Sequence, residues 1–195
     1  MLKQVFIFLV CFSCVSKGIG QSIDYDNFES KKMNCALLYE MNSFRRSSNV
    51  DTLVYSEFLY SKVAKQNCEE VVNSGDFYHP IIDEYWKTSD VKDSIGSESF
   101  RKIGGILNTR TKLGKPGMLL RENAYRTTVR FATYQDAAKH VIESWKKSEG
   151  HHMAQTAQYS DQNLPGVFAC HSILSSDGFV YIYIEFVKVY RLSTL

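Results

Sequence analysis

After Val15 the chain has no apolar run long enough to cross a bilayer, so a membrane-embedded architecture is not expected. Charge of one sign is also missing. Lys and Arg total 23 against 21 Asp and Glu, a net +2. Two of those lysines, Lys3 and Lys17, fall in the leader described below. No surplus remains to neutralise phosphates, and basic residues occur only in short pairs, so nucleic acid is not an expected partner. There is no internal repeat and no low-complexity segment. No Asn-x-Ser/Thr sequon occurs. No His-Glu-x-x-His supports a zincin protease, and no Gly-x-Ser-x-Gly elbow supports a serine hydrolase. Cysteine is sparse. Of five, Cys11 and Cys14 lie in the leader, which leaves Cys35, Cys68 and Cys170. In an oxidising compartment three cysteines imply one disulfide and one odd thiol.

What is present begins with a secretory signature. Lys3 supplies a positive start, residues 5–15 are apolar, and Gly18 and Gly20 are small residues before Gln21. This pattern predicts a signal peptide over 1–20, cleaved after Gly20, and a secreted, extracellular product with no transmembrane segment. About 175 residues then remain, enough for one domain with a single core. Residues 21–32 are polar and acidic and are expected to be loosely held; the domain proper is placed over 33–190.

Two stretches carry the clearest structural signals. In the first, Ala137, Ala138, Val141, Ile142 and Trp145 recur at helical spacing, so Trp145 should face a core. Thr133 with Asp136 reads as a capping box, and Gly150 as the stop. His151 is then expected just past the helix end. In the second, residues 179–189 are rich in β-branched and aromatic side chains. Val180, Ile182, Ile184 and Phe186 should share one face, with Tyr181, Tyr183 and Glu185 on the other. Ser175 to Gly178 is a turn joining this strand to one over 167–174.

Weaker patterns fill the rest. Met33, Leu37, Met41 and Phe44 predict a helix from Ser30 to about Arg46. A second helix should begin near Ser56 and end at Gly75 with a left-handed cap. His79 precedes Pro80 and is therefore expected on a loop. A short helix is expected within 94–106, and strand positions near Leu119, Leu120 and Val129.

One order of residues runs through all of this. Asn42 and Arg45 end the first helix, followed by Cys68, His79, Glu122-Asn123, Trp145, Gly150-His151 and Pro165-Gly166-Val167. The order resembles the CAP superfamily, also called SCP-like or pathogenesis-related-1 domains, over roughly residues 34–187. Departures are visible. Arg121-Glu122-Asn123 stands where the family has Gly-Glu-Asn, a long insertion separates His79 from Glu122, and His152-Met153-Ala154 follows Gly-His. The resemblance implies an α+β fold: a three-layer α/β/α sandwich with a mostly antiparallel central sheet. It also implies a central cleft lined by His79, Glu122, Glu149 and His151. Some members bind a divalent metal there through the histidines, so His79 and His151 are the implied ligands. Glu122 and Glu149 would then hold ring N–H groups or a metal-bound water, with exchangeable zinc as the candidate cofactor. The same four groups would equally serve as a structural hydrogen-bond network. Finally, the resemblance pairs Cys68 with Cys170 in a disulfide and leaves Cys35 as the odd thiol.

The function this implies is binding, either of a lipid or sterol in a cleft or of an extracellular protein partner. The alternative is a metal-assisted extracellular hydrolase using His79, Glu122 and His151 with an activated water. A structural role in an extracellular coat is a third reading. Catalysis is the less expected outcome, because no nucleophile stands beside a base at readable spacing.

Overall fold

The computed structural model describes residues 20–80, 83, 118–159 and 165–189, with side chains of the long paired strands described over 121–186. The expected leader, apart from Gly20, and the expected helix within 94–106 lie outside these residues. The fold is α+β. In chain order the elements are α1 (Ser30–Ser47), β1 (Leu53–Tyr55), α2 (Glu57–Leu59), a π-helical turn (Tyr60–Ala64) and α3 (Lys65–Ser74). After these come β2 (Met118–Thr127), α4 (Tyr134–Lys146), α5 (Glu149–Thr156), β3 (Gly166–Leu174) and β4 (Val180–Val189).

The four strands form one sheet in the order β1-β3-β4-β2. It is mixed and not the mostly antiparallel sheet that was expected. β3–β4 and β4–β2 are antiparallel, but β1 runs parallel to β3, with Leu53 opposite Gly166. The cause lies at the end of α1. The Asn42 carboxamide donates to the Leu53 carbonyl (2.9 Å) and accepts from the Leu53 N–H (2.8 Å), which aims the chain along β3. Gly166 permits the close approach: a Cβ there would lie 2.3 Å from Tyr159 Cβ and 2.9 Å from Leu53 Cδ2.

Strand alternation divides the interior in two. Phe168, Cys170, Val180, Ile182, Ile184 and Phe186 join α1 and α4 in one apolar core with Trp145. Tyr181, Tyr183 and Ala124 face the other way, against Cys68 and Val71 of α3. The expected helix start is present: Thr133 Oγ1 accepts from Asp136 N–H at 3.1 Å and donates to Asp136 Oδ2 at 2.7 Å. The β3–β4 turn closes through Gly178 N–H to Ser175 O (3.0 Å) and Ser175 N–H to Phe179 O (2.8 Å). Gly178 takes a left-handed φ of 85° there, which glycine adopts without steric cost.

Three expectations are corrected. The segment from residue 21 is held, not loose. Ile23 N–H donates to Ala132 O at 3.0 Å, and Ile23, Tyr25 and Phe28 pack on the core. The Trp145 helix ends at Lys146, and a separate helix, α5, starts at Glu149, so Gly150 and His151 lie in its first turn. Ser148 breaks the run by adopting an extended conformation. The Cys68–Cys170 disulfide is not formed; both residues carry free thiols. Cys170 points to the α1 side of the sheet, where its Sγ lies 3.7 Å from Asn34 O. Cys68 packs on the α3 side. A sheet separates the two sulfurs, and a disulfide needs Cα atoms within about 7 Å and converging Cβ vectors.

Burial also raises the Cys68 and Cys170 thiols above the usual range, which suppresses the reactive thiolate. Alkylation of the protein without reductant should therefore label Cys68 and Cys170 fully after denaturation, and label them slowly in the native state. Recovery of a Cys68–Cys170 linked peptide would contradict this packing.

Candidate functional site

The site begins with two glutamates. Glu122 of β2 and Glu185 of β4 are direct register partners. Both side chains lie on the α3 face of the sheet and are buried. Like charges directly opposite on neighbouring strands are destabilising, so this pair needs donors. Asn67 of α3 supplies them. Its Nδ2 donates to Glu122 Oε2 (3.0 Å) and to Glu185 Oε1 (2.8 Å). Glu185 is fully inaccessible. Its carboxyl is held well above the usual range by burial, then by the charge of Glu122 and a hydrogen bond with it. Burial and the neighbouring carboxyl both favour the protonated form of Glu185.

His79 enters from the end of α3. Gly75, left-handed at φ 76°, stops the helix, and the chain runs without regular secondary structure to His79. Tyr183 Oη donates to the Tyr78 carbonyl, and His79 N–H donates to Asp83 Oδ2 (2.9 Å), which fixes the backbone. The His79 Nδ1 is 2.7 Å from Glu122 Oε1. With a carboxylate as partner, Nδ1 carries the proton and Nε2 keeps its lone pair.

His151 comes from the other side, on α5. Asn123, the neighbour of Glu122, donates from Nδ2 to the His151 carbonyl at 3.2 Å. The His151 ring lies 6.1 Å from Trp145 and 6.2 Å from His79, centre to centre. Trp145 is itself anchored by Nε1–H to Ala124 O at 3.0 Å. The far end of α5 is held by Arg45. This buried guanidinium donates to the carbonyls of Asp51 (2.7 Å), Gln155 (2.6 Å) and Ala157 (3.0 Å). Burying that charge costs several kcal/mol; charge-assisted bonds of about 1.5–3 kcal/mol each offset it.

Of the residues expected in the cleft, His79, Glu122 and His151 are gathered at the β2 edge. Glu149 is not: it stands exposed as the first residue of α5, and no cleft contact among the described residues involves it. The buried second carboxyl is Glu185, which the sequence reading did not single out, nor did it single out Asn67. The signal for Glu185 was a lone acid in a strand that is aromatic and β-branched apart from Lys188. Asn67 had a fainter one, a polar residue within the apolar spacing of Ala64, Cys68 and Val71.

Burial keeps both histidines below their ordinary pKa; the neighbouring His79 adds to this at His151, while Asp83 and Glu185 oppose it at His79. Both rings are therefore neutral at pH 7 and able to donate a lone pair to a metal. Among the described residues no group of three or more His, Cys, Asp or Glu side chains is arranged to hold a metal ion. A metal placed here would be held by the two imidazoles of His79 and His151, with Glu122 orienting the first.

No family profile matches the chain, and no curated protein matches it. Among solved structures it is similar to an outer surface protein from Borrelia burgdorferi, with a TM-score of 0.56 and 16% identity. The match covers 88% of this chain and 100% of that one. At that identity the likeness is one of fold. Among the described residues no helix is long and apolar enough to cross a membrane.

The Glu185 carboxyl makes a pH prediction. The folded chain holds this proton to a higher pH than the unfolded chain, which releases it above a pH of about 4.3. Over that window the folded state binds more protons, so this group's contribution to stability falls as pH rises. Glu185→Gln removes the effect. Thermal melts of the variant and the wild type should therefore diverge in the variant's favour from pH 4.5 to 7.5; a constant difference would show Glu185 to be ionised.

Proposed function

We propose that this chain is a secreted CAP-superfamily protein with a three-layer α/β/α architecture. It acts by binding an extracellular partner, either a lipid or sterol or a protein, and carries an exchangeable divalent-metal site at His79 and His151. The observation that carries the site is the 2.7 Å contact between His79 Nδ1 and Glu122, with the His151 ring 6.2 Å from that of His79. A carboxylate behind a histidine fixes its tautomer and raises the basicity of the nitrogen left free. Support for the architecture comes from helices on both faces of the sheet and from the ordered Asn42, Arg45, His79, Glu122, Trp145 and His151. Support for a location outside the cell comes from the leader pattern and from a fold shared with a protein described as an outer surface protein.

Zinc bound by these residues would polarise a coordinated water or a ligand oxygen. His79 and His151 would hold it, Glu122 would orient His79, and Trp145 would shield one side of His151. The hydrolase alternative uses the same groups. Binding is preferred because the cleft's acid, Glu185, is buried behind Asn67 and out of reach of a substrate, and no nucleophile stands beside His79 or His151 among the described residues.

Native mass spectrometry of the secreted protein, with and without chelator, tests the metal site. Wild type should gain one zinc that chelator removes. His151→Ala should lose it while melting close to wild type. Unchanged zinc content in that variant would end the assignment.

A further inference from the structure

We propose that Gln21 is a covalent modification site. Once the leader is removed after Gly20, the Gln21 α-amine closes on its own carboxamide to give pyroglutamate, and the strand-like clamp that holds this segment against α4 ends in a neutral lactam. This rests on the leader reading under which the protein is secreted, and is independent of the metal site.

The reacting groups follow from the sequence. Gly18 and Gly20 are the small residues of the expected cleavage site, and Gln21 comes next. Cleavage there turns the Gln21 backbone amide into a free amine. An α-amine titrates near pH 8, about 7.7–8.0, so a fraction of it is uncharged and nucleophilic at neutral pH. That nitrogen reaches Cδ of its own side chain in a five-membered ring. The N–Cδ bond forms, the Cδ–Nε2 bond breaks, and one amine hydrogen passes to the departing nitrogen, which leaves as ammonia. No oxidant, reductant or second substrate is needed.

The fold is compatible with the product. Ser22 bridges Thr133, and the two bonds beside the bridge run from Tyr134 N–H to Gln21 O (3.1 Å) and from Ile23 N–H to Ala132 O (3.0 Å). They use the Gln21 carbonyl and the Ile23 amide, so a lactam at the Gln21 nitrogen leaves the clamp intact. The Gln21 side-chain oxygen is buried and accepts no hydrogen bond, so cyclisation breaks none at that atom. Charge points the same way. Tyr134 is the first residue of α4, and a free ammonium on Gln21 would stand at the positive end of that helix, where cations are disfavoured. Asp136 brings a carboxylate to the first turn, but its Oδ2 already accepts from the Thr133 hydroxyl at 2.7 Å. The lactam carries no charge. It also removes the free amine that an aminopeptidase needs, and the residues behind it, Ile23, Tyr25 and Phe28, pack on the core.

The test expresses the full-length chain in a secreting host, labels the intact product with an amine reagent, and reads its N-terminal peptide by tandem mass spectrometry. The peptide should begin at residue 21, be lighter than its sequence by one ammonia, and carry no label on its terminal nitrogen. Gln21→Asn is the control, because asparagine would have to close a strained four-membered ring. Its product should begin at the same residue with a free, labelled amine. A wild-type peptide that begins at Gln21 with a labelled amine would overturn the proposal and leave the leader reading standing. A product that begins elsewhere would overturn both. A blocked Gln21→Asn product would assign the block to another modification and overturn the proposal as well. Pyroglutamyl peptidase then reads the clamp. It should release the terminal residue at least about 10-fold faster from denatured than from native protein, since cleavage of a docked terminus waits on local opening. Equal rates would show the terminus undocked and overturn the clamp.

Discussion

Two carboxyl groups sit side by side beneath a helix, and one carboxamide is bonded to both. Asn67 reaches from α3 to Glu122 on β2 and to Glu185 on β4. Without such a donor, two buried acids on adjacent strands would carry a desolvation cost of several kcal/mol per charge. With a shared donor, they become a fastener that holds α3 to the sheet. The position of His79 depends on this fastener, because His79 follows α3 directly and leans on Glu122.

The second histidine is set by different means. α5 is short and would not hold its place by helix propensity alone. Asn123 grips it near His151, Trp145 packs against the His151 ring, and Arg45 binds the carbonyls at its far end. Arg45 therefore links the end of the first helix to the helix that bears His151. The two imidazoles arrive at the β2 edge from separate layers, one through the α3 face and one through the Trp145 core. Each is placed by buried polar contacts, and such contacts cost more to break than to leave alone. That is how a site is kept preorganised.

Parts of this were readable in the sequence for physical reasons. The apolar period of α4 placed Trp145 in the core, the Thr133–Asp136 box marked its start, and the Asp177-Gly178 turn joined β3 to β4. The gathering of His79, Glu122 and His151 was legible only as an ordered resemblance, since nothing local links residues so far apart. Glu149 was drawn in by its place beside Gly150, but the break at Ser148 starts a new helix and turns that carboxylate to solvent. Glu185 escaped notice as a site residue because a strand pattern records which face a side chain takes, not which helix covers it. The disulfide failed for the same reason. Cys68 and Cys170 stand in a fitting order along the chain, yet the two-residue period of β3 sends Cys170 to the face opposite α3.

The central claim is that His79 and His151 hold a divalent metal while Glu122 stays behind His79. Crystals of the protein soaked in zinc and measured on both sides of the zinc absorption edge test it most directly. The account predicts an anomalous peak between the two imidazoles, with His79 bound through Nε2 and Glu122 still bonded to its Nδ1. No peak at that place, or an ion held by Glu122 and Glu185 with His79 turned away, would contradict it.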